Sequence, residues 1–109
     1  MRCVNVANLA RFGDDKMQKI PLFDSARFFC DVYCLKTGQA QRAHAHPDAD
    51  KVYYVLKGHA TVQVGDEVGL VEAGEAVLAP AGSIHGITNQ AADPLTLLVF
   101  MAPKPAAGG

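Results

Sequence analysis

From Phe28 to Met101 the chain is cut into strand-length pieces by residues that force turns, and this punctuation limits what it can fold into. Turn chemistry falls at Thr37-Gly38, Pro47-Asp48, Lys57-Gly58, Gly65-Asp66, Ala73-Gly74-Glu75, Pro80-Ala81-Gly82 and Asp93-Pro94. The runs between these breaks are rich in β-branched and aromatic residues, which predicts strands at about 28–36, 42–46, 51–57, 59–65, 68–71, 76–79, 84–88 and 95–102. Many short strands without a long helical pattern mean a sandwich or barrel. Length sets a further bound: 109 residues make one domain with one core.

Three of the four histidines fall where a metal would want them. His44 and His46 are two apart, so in a strand they project from one face about 6–7 Å apart. An ion lying between and above them can meet both imidazoles at about 2.0–2.1 Å. His85, supplied by a later strand, completes a facial set of three. His59 follows the Gly58 turn and reads as solvated. A lone histidine on an apolar strand is usually a hydrogen-bonded core residue, but three at these spacings point to one divalent transition metal.

The surrounding residues carry a resemblance. Gly38, His44, His46 and Gly58 form one spaced pattern, and Gly74, Pro80, Gly82, His85 and Asn89 form a second, in that order. Together they resemble the paired motifs of the cupin superfamily. The resemblance implies an all-β double-stranded β-helix, a jelly-roll barrel of two antiparallel sheets, built from a single cupin domain over 1–109. It also implies metal ligands: two His and a Glu from the first motif and one His from the second.

This sequence departs at the Glu, whose place falls on Lys51, or on Asp50 at the shorter permitted spacing from His46. In the typical register Lys51 points inward, Asp50 points away, and the site rests on three histidines. Beside a divalent ion a protonated lysine cannot ligate, so its head is expected to turn toward solvent or a carboxylate. A bulge would instead bring Asp50 inward as the fourth ligand. Asp48, in the turn beside Pro47, is the weaker oxygen donor.

Tyr53 shares the face of Lys51 and Val55, where it either donates to a metal-bound oxygen as a catalytic residue or simply packs. Val55, Val62, Ile87, Leu98 and Phe100 are candidates for the apolar pocket wall. An all-imidazole set suits Fe, Zn, Ni or Cu, with Mn also possible, and does not choose among them. Two functions follow. One is a metal-dependent small-molecule enzyme resembling the cupin dioxygenases, oxidoreductases or isomerases. The alternative is a non-catalytic metal-containing module that binds or senses a small molecule.

Charge and composition exclude other classes. Ten basic residues against eleven acidic give a net charge of -1, and the basic residues are scattered, so neither nucleic acid nor an anionic membrane is an expected partner. No apolar run has the length of a signal peptide or a transmembrane helix. An odd count of three cysteines argues against a disulfide framework, and a cytoplasmic location is expected. Residues 1–27 read as an N-terminal arm with edge strands: Cys3 to Asn8 as a short strand, Leu9 to Lys19 as a turn or helical fragment, and the Pro21 stretch as an edge strand. Phe28–Leu35 and Leu95–Met101 are apolar on both faces, so their outer faces need cover from another sheet or, as a homodimer, from a second subunit. Residues 103–109 have the composition of a disordered tail.

Overall fold

The computed structural model describes residues 1–105. Its elements are α1 (Val6–Leu9), β1 (Gln18–Asp24), β2 (Phe29–Leu35), β3 (Ala40–His44), β4 (Asp50–Lys57), β5 (His59–Val64), β6 (Glu67–Glu72), β7 (Ala76–Ala79), β8 (His85–Thr88) and β9 (Leu95–Ala102). The strands form a five-stranded sheet, order β1-β2-β9-β4-β7, and a four-stranded sheet, order β3-β8-β5-β6. Every pairing is antiparallel. This is the double-stranded β-helix that the motifs implied. The expected strands from Phe28 onward form, each bounded by residues that turn readily, but the one expected at 42–46 runs Ala40–His44 and leaves His46 beyond its end.

Alternation decides which side chains enter the barrel. In β4, Lys51, Tyr53 and Val55 are buried while Asp50, Tyr54 and Leu56 are exposed. The ladder pairs Lys51 with Met101, Tyr53 with Val99 and Val55 with Leu97, so these three residues of β9 also face in. Together with Tyr33, Val62 and Ile87 they fill the space between the sheets. Each large apolar side chain so buried contributes about 1.5–3 kcal/mol relative to exposure. Leu98 and Phe100, expected in the pocket wall, have the opposite parity. Leu98 packs on the outer cluster and Phe100 is exposed against Phe28, with ring centroids 5.3 Å apart. Val55, Val62 and Ile87 line the interior as expected.

Gly58 shows why the β4–β5 turn needs glycine. Its φ is +91°, and a Cβ there would lie 2.5 Å from the Pro94 carbonyl oxygen. The turn is packed against the start of β9, and any side chain would drive the two apart.

The N-terminal stretch departs from expectation. Cys3 to Asn8 is not a strand; α1 makes a single turn, with the Asn5 side chain accepting from the Asn8 amide at 3.2 Å. β1 is an edge strand carrying Pro21, with a bulge between Pro21 and Phe23 that accommodates the missing amide hydrogen. Ile20, Val32 and Cys34 are buried beneath Val6, Leu9 and Phe12. The outer face of β2 is therefore covered by the chain's own N-terminal segment. The remaining outer face of the same sheet leaves Tyr54 37%, Leu78 57% and Phe100 38% exposed.

At the other end, the Lys104 amide donates to the Arg27 carbonyl at 2.9 Å and its ammonium to Asp24 at 2.6 Å. The first residues of the expected tail are thus tied to the barrel, and residues 106–109 lie outside the described residues. Among the described residues no helix is long and apolar enough to cross a membrane.

Candidate metal centre

β3 and β8 are neighbours, and their register sets His44 opposite His85. Between Gln41 and His44 the register shifts, so two residues an odd number apart both face the barrel: Gln41 is buried and His44 half-buried. The bulge brings the β3 backbone close to β8, and Gly86 makes this possible. A Cβ on Gly86 would sit 3.0 Å from both the Ala43 Cα and the Gln41 carbonyl oxygen. Beyond β3, the His46 carbonyl accepts from the Gly82 amide at 2.8 Å, which fastens the first histidine motif to the turn that presents the second.

His44, His46 and His85 converge, with one ligating atom from each within 4.8 Å of the others. Ring centroids stand 4.8 Å apart for His44 and His46, 4.6 Å for His44 and His85, and 5.8 Å for His46 and His85. Two nitrogens bound to one ion lie at most about 4.2 Å apart, so small ring rotations close the set. The tautomers are decided locally. A backbone carbonyl only accepts, so His85 Nδ1 must donate to Ser83 at 3.1 Å, and His44 Nδ1 to Arg42 at 2.8 Å. In both rings Nε2 then carries the lone pair. On His85 that nitrogen is buried and makes no hydrogen bond, which leaves an acceptor that a metal would satisfy. The residues present fit a divalent transition metal.

Burial pushes the His85 imidazole down to about 4, an effect deepened by the positive charges of Lys51, His44 and His46 and partly offset by the Ser83 carbonyl. The ring is neutral at physiological pH, as a metal ligand must be.

The structure places the three sequence-predicted histidines together and leaves Asp50 outside. Asp50 is exposed, and its carboxylate accepts from the Ala81 amide at 2.8 Å. Asp48 is likewise exposed. Lys51 points inward as expected, but its head does not turn out to solvent. It is 0% exposed, donates to Gln41 Oε1 at 3.3 Å, and lies over the rings of Tyr53 at 5.2 Å and Tyr33 at 5.4 Å. The aromatic faces stabilise the buried cation where water cannot. Burial, and then the Lys19 ammonium, draw its pKa down to about 7, against a smaller pull upward from Asp31.

Tyr53 is fully buried with its ring 6.2 Å from that of His85, and its hydroxyl donates to Gln41 Oε1 at 2.8 Å. Gln41 in turn donates to the Tyr33 hydroxyl at 3.2 Å. Burial raises the pKa of both phenols, so they stay protonated. Sequence reasoning missed Gln41 and Tyr33; the one available signal was Gly86, a glycine inside a strand, which marks a close backbone approach. A cleft of about 340 Å³ opens beside His46, lined by Pro47, Asp48, Ala49 and Pro103 to Pro105.

Known proteins share this sequence and fold. The chain is similar to TT1209 from Thermus thermophilus, with 48% identity and a TM-score of 0.94 over 96% of this chain and 100% of that one. It is 36% identical to SCO3923 of Streptomyces coelicolor over 75 residues, 67% of this chain and 69% of that protein. It is also 31% identical over 77 residues to the tetracenomycin polyketide synthase protein TcmJ of Streptomyces glaucescens, covering 68% of this chain and 52% of TcmJ. The family described as the cupin domain matches residues 31–101, which contain both histidine motifs, and the chain belongs to that family.

Proposed function

We propose that the protein holds one divalent transition metal between His44, His46 and His85 and acts with it on a small, oxygen-rich molecule, as an oxidoreductase of the dioxygenase type or as an isomerase. The observation that carries this reading is the convergence of three imidazoles, two of them fixed by backbone carbonyls so that Nε2 is the ligating nitrogen. A bound ion would supply Lewis-acid polarisation of an oxygen donor and, if iron or copper, redox chemistry.

The chain's own residues hold the geometry. The bulge sets His44 against His85, Gly82 anchors the His46 backbone, and Val55, Val62 and Ile87 keep bulk water from the interior. Tyr53, its ring 6.2 Å from that of His85, donates to Gln41, which also accepts from Lys51. A relative named for a polyketide synthase supports a substrate rich in carbonyl oxygens.

A homodimer is part of the proposal, supported by the exposed Tyr54, Leu78 and Phe100 on one sheet face. So is a cytoplasmic setting, supported by the free thiols of Cys3, Cys30 and Cys34.

The test is to load the protein separately with Fe(II), Ni, Cu and Zn, measure bound metal, and screen each form with β-diketones, thiols and catechols. One metal per chain and iron-dependent oxygen uptake that disappears in His85→Ala are expected. Tight ligand binding without turnover under every metal would make the protein a binding or sensing module instead.

A further inference from the structure

The nitrogens that would meet an ion are shut away from solvent. Nε2 of His46 and Nε2 of His85 are both buried, yet an ion and any molecule that joins it must come from outside. The cleft of about 340 Å³ has the His46 ring in its wall, and its two sides are held very differently. One side is the loop 47–49. Ala49 is buried in a cluster with Phe29 and Met101, and the His46 carbonyl accepts from the Gly82 amide at 2.8 Å, so this side is anchored at both ends. The other side is the strap Pro103-Lys104-Pro105, which leaves the barrel where β9 ends at Ala102. Neither proline has an amide hydrogen, so the strap cannot continue the β9 ladder, and Lys104 is its one backbone donor. That amide donates to the Arg27 carbonyl at 2.9 Å, and the ammonium of the same residue donates to Asp24 at 2.6 Å. The strap's hold on the barrel thus runs through a single residue. Lys104 and Asp24 are both exposed, and an ion pair in solvent is weak and screened by salt.

We propose that the 103–105 strap is a gate over the three-histidine centre and that the Lys104–Asp24 pair is its latch. With the latch made, the strap closes the cleft beside His46. When the pair parts, the strap moves off the fixed 47–49 wall, and a metal ion or a small molecule gains the histidines through the widened cleft. The strength of the latch sets how often the gate stands open, and so how fast the site exchanges with solution, without altering how tightly the histidines bind. This inference rests on the metal reading above and adds a control on access to that site.

The test measures how fast the site is reached, with metal and without it. In zinc-loaded protein, release of zinc to an excess of chromogenic chelator should quicken about two- to fivefold in Lys104→Met and in Asp24→Asn, the range that an exposed ion pair sustains, while zinc affinity at equilibrium stays within about twofold. Exchanging the charges, Asp24→Lys with Lys104→Asp, should bring the rate back toward wild type. In metal-free protein, acylation of His46 by diethyl pyrocarbonate, read by peptide mass spectrometry, should quicken by a similar factor in the two single variants, with His59 as the unchanged reference. Added salt should speed acylation of His46 in wild type, a readout that needs no variant to fold. His46 acylation that is the same in wild type and both single variants, or that is indifferent to salt in wild type, overturns the gate and leaves the metal reading intact. A wild type that binds no zinc while His46 acylation still follows the latch overturns the metal reading alone.

Discussion

The Asp50 carboxylate accepts a hydrogen bond from the Ala81 amide at 2.8 Å, so the acidic residue just before Lys51 serves a turn and lies outside the barrel. Asp50→Ala should therefore leave zinc affinity within about twofold of wild type, whereas His85→Ala should lower it by well over tenfold, the scale set by changes to residues around metal sites. Competition titration against a chromogenic chelator measures both. A tenfold loss in Asp50→Ala would make Asp50 a ligand after all.

Gly86 should be intolerant of any side chain. With the Ala43 Cα and the Gln41 carbonyl oxygen 3.0 Å from where a Cβ would stand, Gly86→Val must push β3 away from β8. Overpacking of this kind costs about 1–3 kcal/mol, read as a lower urea midpoint. Because the same displacement separates His44 from His85, metal affinity should fall together with stability. Unchanged affinity in a destabilised variant would uncouple the bulge from the site.

Lys51 should make stability depend on alkaline pH. Its pKa in the folded protein, about 7, lies below the ordinary 10.5. Between those values the unfolded chain holds a proton that the native one has released, so native stability rises with pH, by at most about 1.4 kcal/mol per unit. Below pH 7 both states are protonated and the full cost of burying the charge remains. Lys51→Met lacks this term, so its advantage over wild type should be largest at pH 6 and shrink by pH 10. Urea unfolding of both proteins at pH 6, 8 and 10 checks the sign, and a difference that does not vary with pH would contradict it.

The exposed side chains on the outer face of the five-stranded sheet give a prediction about assembly. Sedimentation at micromolar concentration should show a dimer of 11.6 kDa chains, and Leu78→Asp should shift it toward monomer without unfolding it. A wild-type monomer would remove the dimer from the proposed function.

Much of this architecture was legible because turns are written in residue types. Gly38, Gly58, Gly74 and Gly82 each adopt positive φ in the structure, and the strands end where those residues stand. The inward parity of Lys51, Tyr53 and Val55 came from the register that the cupin resemblance implies, since Val52, Tyr54 and Leu56 make the other face of β4 just as apolar. β9 does not alternate: Leu95 to Met101 is apolar throughout apart from Thr96, so nothing in its own sequence says that Leu97 faces in and Leu98 out. Its pairing with β4 decides that, and pairing is not local information. The environment of Lys51 was hidden for a similar reason. A lysine reads as a residue that seeks water, until the bulge in β3 delivers Gln41 and the fold closes Tyr33 and Tyr53 around it. Covering the second face of β2 likewise needed no partner, because Val6, Leu9 and Phe12 fold back from an N-terminal segment with little periodic signal.

β3 lies at an edge of the four-stranded sheet, with β8 as its neighbour there. An edge strand held along one seam opens locally more easily than the strands inside a sheet. His44 stands on one side of that seam and His85 on the other, so an ion shared between them is a clasp across the seam, and its binding energy adds to the work of opening it. Amide hydrogen exchange in Ala40–His44 should then slow on metal loading, while the interior strands β4 and β9 barely respond. The metal centre would act as the last fastener of the barrel, and the protein's local stability would rise and fall with the supply of free metal around it.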